Sequence, residues 1–135
     1  MENELSKEEE MVIAFLAWSN QITISDITPE IREQLLPMVK QLPEVSKRMC
    51  SRMGGVLIVM NEAIDEWSIY DDNEIAKREH CISKGLDFIN TLPLDEEMHG
   101  IYSDFVNATA DLLLGNDVTE KFQEHMQLIA AKETN

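Results

Sequence analysis

Between Pro43 and Trp67 the chain sets Met49, Met53, Val56, Leu57, Met60, Ala63, Ile64 and Trp67 three and four residues apart. Steps of three and four collect side chains on one face of an α-helix, whereas a half-buried strand alternates every second position. No other feature of the sequence restricts the fold as strongly. The segment Gly54–Met60, GGVLIVM, favours a strand by composition alone. The apolar spacing nevertheless runs through it without a phase break, and no partner strand is evident elsewhere. The reading is therefore one long helix. Gly54 and Gly55 each weaken such a helix by about 1 kcal/mol, a cost that implies close approach of another helix.

The same period extends over most of the chain. Ser6-Lys7-Glu8-Glu9 has the form of a capping box and opens a first helix through Asn20. Thr28-Pro29 opens a second, with Pro37 expected to end or kink it near Leu36. Leu42-Pro43 separates it from the long third helix. Asp71 and Asp72 are candidate caps for a fourth helix, with Ile75, Ile82, Leu86 and Ile89 inward, ending near Leu92-Pro93. A fifth helix is expected from about Asp95 to Leu114, stopped by Gly115, and a sixth opens at Asp117-Val118-Thr119-Glu120. Residues 21–27, QITISDI, read as a short extended loop. These elements predict an all-α protein, a compact bundle of five to six helices, with residues 1–135 forming a single helical domain.

Composition fits that expectation. Hydrophobic residues make up 44% of the 135 and charged residues 27%, enough apolar surface for one core. Eight methionines against 6% aromatics make its filling soft. Two cysteines, Cys50 and Cys81, cannot build a disulfide framework. MENELSKEEE is acidic where a secretion signal is basic, and MVIAFLAW is far too short to span a bilayer. A cytoplasmic protein with reduced thiols is expected.

The charge is the second constraint. The net charge is −15, and it is unevenly spread. Residues 1–60 hold nine acids and six bases, residues 61–135 seventeen acids and five bases. Nucleic acid and anionic membranes both reward cationic patches, so direct binding to either is not expected. A basic protein surface is the natural complement. On the fifth helix Glu97, Asp104 and Asp111 fall seven apart, in one stripe rising about 10 Å per step. Ile101, Ala108 and Gly115 occupy the positions four residues on, so no cation of the same helix offsets them. Glu62, Asp65 and Glu66 form a similar cluster on the third helix, followed by Asp71 and Asp72. On the fourth helix Glu74 and Arg78 have the spacing of an ion pair. A surface that serves solubility alone usually mixes signs. These eight acids, from Glu62 to Asp111, are the expected partner-binding residues.

Catalytic motifs fare worse. Glu96 and His99 have the spacing of a carboxylate-bridged metal helix, but such a bundle needs a second Glu-x-x-His, and none exists. His80-Cys81 begins like a cysteine-phosphatase loop, yet Asp87 stands where a phosphate-gripping Arg is required. A Cys beside its own base in sequence rarely has the geometry of an activated nucleophile. Gly-rich phosphate loops, Cys-x-x-Cys, His-Glu-x-x-His and Gly-x-Ser-x-Gly are all missing from the sequence. Neither an enzyme nor a bound metal or cofactor is expected.

The expected function is neutralisation of a basic partner, such as a toxin, a nuclease or another nucleic-acid-binding protein. In general character the chain resembles immunity proteins of bacterial toxins, phage inhibitors of host defence and DNA mimics. The resemblance is one of type, with no shared motif. Two alternatives stand beside it: a secretion chaperone or adaptor that works through a Met-rich apolar surface, and a small helical-bundle metalloenzyme using Glu96 and His99. Phe15 and Trp18 on the apolar first helix could also anchor a homodimer.

Overall fold

The computed structural model describes residues 6–20, 22, 26–67, 73–115 and 118–133. Among these there are six helices and no strand: α1 (Lys7–Ser19), α2 (Pro29–Gln41), α3 (Glu44–Glu66), α4 (Glu74–Ile89), α5 (Glu96–Leu113) and α6 (Thr119–Glu133). The protein is all-α. Its contacts divide it into two compact units, Met1–Ile58 and Val59–Asn135, with the division falling inside α3.

The first unit is built by α1, α2 and the first part of α3. Ser6 and Glu9 form the reciprocal capping box: each side chain accepts the other's backbone N–H, both at 3.1 Å. That bond from the Ser6 amide holds the Glu9 carboxyl below its usual range. Thr28 caps α2 through Ile31, with Pro29 at the first helical position. Val12, Ile13, Ala17, Leu35, Val39 and Cys50 are buried together, with Phe15, Leu16, Ile22, Ile27, Ile31 and Leu42 packed around them. Gly54 sits where α3 meets α1. A Cβ there would lie 1.8 Å from the Met11 carbonyl oxygen, so only Gly permits this approach.

Pro37 does not end α2, one of the two outcomes expected of it: the helix runs through it to Gln41. The bond it forgoes is to the Glu33 carbonyl, and both residues lie on the exposed face, where water can take the freed oxygen. On the opposite face Leu35 and Val39 are buried and hold the helix together.

In the second unit α5 packs against α4 and α6. Its buried face runs through Ile101, Tyr102, Phe105, Val106, Ala108, Thr109 and Ala110. Phe105 meets Phe122 of α6 with ring centroids 5.2 Å apart. On α4 the buried stripe is Cys81, Gly85 and Ile89. Met60 of α3 and Trp67, just past its end, lie against α4: the Cys81 thiol faces the Met60 carbonyl at 3.6 Å, and the Trp67 and His80 ring centroids are 5.3 Å apart. A Cβ at Gly85 would come within 2.7 Å of Val106 and 2.9 Å of Met60. Ile75, expected inward, is 73% exposed. It stands on the first turn of α4, ahead of the Cys81–Gly85–Ile89 stripe. The cap of α4 is Asn73, which accepts from the Ala76 amide. Asp71 and Asp72, the expected caps, lie outside the described residues, as does Asp117. Gly115 follows α5 with φ of +88°, the left-handed stop anticipated for it. Among the described residues no helix is long and apolar enough to cross a membrane.

Candidate functional site

Glu62, Asp65 and Glu66 occupy the last two turns of α3 and are all exposed. Three carboxylates there face the negative end of the helix dipole, and the final turn holds no basic residue. Among the described residues none of the three forms an ion pair. Each such acid near a helix C-terminus is unfavourable by about 0.3–1 kcal/mol.

Beside them lies a hollow of about 340 Å³, lined by Val59, Glu62, Ala63 and Glu66 of α3 and by Lys84, Asp87 and Phe88 of α4. Ala63 is buried, whereas Val59 and Phe88 stay partly exposed. Its lining thus combines three apolar side chains with three carboxylates and one ammonium. Lys84 enters no ion pair among the described residues.

The stripe on α5 is less uniform than its spacing suggested. Arg78 of α4 reaches Asp111 through Nε at 2.7 Å and Nη2 at 3.2 Å instead of turning back to Glu74. This bond, the largest influence on Arg78, raises the guanidinium pKa further. Lys132 of α6 stands 3.2 Å from Glu97. Only Asp104 of the three is exposed without an ion pair among the described residues. The neighbouring Ser103 hydroxyl and Asn107 amide donate back to the backbone of α5, at 2.8 and 2.9 Å. Spacing along one helix reveals an absence of intrahelical cations; it is silent about cations arriving from neighbouring helices. Asp71 and Asp72 lie outside the described residues.

Of the residues considered for catalysis, His99 and Cys81 are engaged with other helices. His99 shares a 2.6 Å hydrogen bond between its Nε2 and Asn90 Oδ1, joining the start of α5 to the end of α4. Among the described residues no group of three or more His, Cys, Asp or Glu is placed to hold a metal ion. Cys81 is fully buried, and burial pushes its thiol up to about 11. Cys50 is shifted upward for the same reason. Both thiols are protonated at neutral pH, the opposite of an activated nucleophile. Among the described residues the large exposed apolar side chains are Met38 on α2, Ile75 on α4 and Leu128 on α6, one to a helix.

Of the residues lining the hollow, the sequence had singled out Glu62 and Glu66 as partner-binding candidates, and not Lys84, Asp87 or Phe88. The i, i+3, i+4 spacing of these three was visible as one face of α4. Its alignment with α3 was not. Compared with protein-family models, curated proteins and solved structures, the chain finds no match in any of the three.

Proposed function

We propose that this is a small acidic binding protein that neutralises a basic protein partner in the cytoplasm, as an immunity protein does a toxin or an inhibitor a nuclease. The observation that carries the reading is the group Glu62, Asp65 and Glu66, three exposed carboxylates at the wrong end of a helix dipole that form no ion pair among the described residues. A basic partner would relieve that repulsion, so part of the binding free energy is already stored in the free protein. A net charge of −15 would also steer a cationic partner toward it and speed association. No catalytic step belongs to this reading.

The test is affinity capture from the host cell with the intact protein as bait, eluted by a salt gradient and identified by mass spectrometry. The expected partner has a strongly basic binding face and elutes as salt rises, because screening weakens attraction between exposed charges. A dominant partner that is acidic, or whose retention ignores salt, would overturn the proposal.

A further inference from the structure

We infer that the groove between α3 and α4 is the seat for an amphipathic, basic α-helix of the partner; the inference rests on the basic-partner reading above and specifies its chemistry. α3 and α4 run in opposite directions here, since Met60 of α3 lies against Cys81 and Gly85 while Trp67, just past the end of α3, lies against His80, earlier on α4. Two helices side by side leave a furrow along their seam. Here it opens into the hollow of about 340 Å³. Its apolar lining is incompletely covered, with Val59 and Phe88 partly exposed and Ala63 buried.

Shape and charge favour one kind of occupant. Val59 to Glu66 spans about 10 Å of helix axis, two turns, which matches apolar anchors three or four residues apart on an incoming helix. One such side chain rests on Val59, Ala63 and Phe88. Arg or Lys residues flanking it then reach Glu62, Glu66 and Asp87. Lys84 on the same rim repels a cation beside it and so limits the registers the helix can adopt. A chain with cations but no apolar stripe would meet the carboxylates and leave the apolar lining uncovered, gaining little from the groove itself.

The experiment uses the full-length, isotope-labelled protein and two synthetic peptides of identical composition. In one, Leu and Lys are arranged as an amphipathic helix; in the other they are scattered around it. Amide shifts locate binding and calorimetry measures it. The amphipathic peptide should shift residues 59–66 and 84–88 and bind about tenfold tighter than the scattered one, a difference of about 1.4 kcal/mol. Replacing the groove acids, Glu62→Gln, Glu66→Gln and Asp87→Asn, should remove about that tenfold advantage. The control, Glu74→Gln, Glu120→Gln and Glu124→Gln, removes the same charge from exposed helical positions elsewhere and should preserve it. All substituted positions are exposed, and circular dichroism confirms that each variant folds. Equal affinity for the two peptides, equal losses in both variants, or shifts centred elsewhere would each overturn the groove. Such outcomes leave the basic-partner reading standing, because that reading fails only on the salt behaviour and charge of the captured partner.

Discussion

Arg78 on α4 grips Asp111 on α5 with two hydrogen bonds, of 2.7 and 3.2 Å, tying together neighbouring helices of the second unit. Both side chains remain partly open to water, at 39% and 27% exposure, which screens the pair. Asp111→Asn should therefore lower stability by only about 0.5–1 kcal/mol, whereas Asp104→Asn should be close to neutral. Asp111→Lys should cost more, since it sets two cations face to face. It follows that reversing Glu97, Asp104 and Asp111 together weakens the fold as well as any partner contact. Urea denaturation of the three single variants measures the order; a loss at Asp104 equal to that at Asp111 would contradict it.

Glycine substitutions should separate close packing from helix propensity. Gly54→Ala forces a Cβ against the Met11 carbonyl, which only a backbone shift can relieve, so a loss of about 3 kcal/mol or more is expected. Gly100→Ala meets nothing within 4 Å on α5 and should stabilise by about 0.5–1 kcal/mol. Thermal melts of the two variants should move in opposite directions.

The thiols supply a pH-dependent test. Cys81 has a folded pKa of about 11 against an ordinary value of 9.0. A group raised in this way contributes its stability in full below the unfolded value and loses it as pH climbs through the folded one. Its contribution should therefore disappear between about pH 9 and 11. Cys81→Ala should flatten this part of the stability profile. In the native protein at pH 8 a thiol reagent should label both cysteines slowly, and fast after denaturant is added. Rapid native labelling would contradict the burial.

Acid should weaken the first helix. The Glu9 carboxyl lies below its usual range because it accepts the Ser6 amide, so its contribution is present above the unfolded pKa and lost as pH falls through the folded one. Ser6→Ala should cost about 1 kcal/mol at neutral pH. That cost should shrink in acid, where the Glu9 half of the box is already protonated. A penalty independent of pH would show that the two halves act separately.

Trp18 tests self-association. On α1 the buried residues are Val12, Ile13, Ala14 and Ala17, with Trp18 only partly covered. Trp18→Glu should lose about 1–3 kcal/mol while parent and variant show the same mass by light scattering. A dimeric parent giving a monomeric variant of unchanged stability would place Trp18 on a homodimer face.

The helices were legible because their evidence is local. The Ser6–Glu9 box, Thr28-Pro29, Leu42-Pro43 and Gly115 each act within a few residues, and the three-and-four spacing carried α3 through its two glycines. That Pro37 would not end α2 was not legible, because its effect depends on which face of the helix it occupies. Ile75 was misread because apolar spacing does not say where a buried stripe begins. Of the candidate site, Glu62 and Glu66 were legible from composition. The groove was not, since it depends on how α3 and α4 align. The cations on Glu97 and Asp111 escaped for the same reason, arriving from other helices.

The chain contains two tryptophans, and they are divided evenly: Trp18 belongs to the first unit and Trp67, against His80, to the second. Each unit thus carries its own optical reporter. Single-tryptophan proteins made by Trp18→Phe and Trp67→Phe would follow the melting of either unit through emission, without added dye. The division between Ile58 and Val59 falls inside α3. Coincident midpoints, matching a calorimetric transition, would mean that 135 residues melt as one cooperative system. Separate midpoints would make α3 a fuse between two independently stable halves.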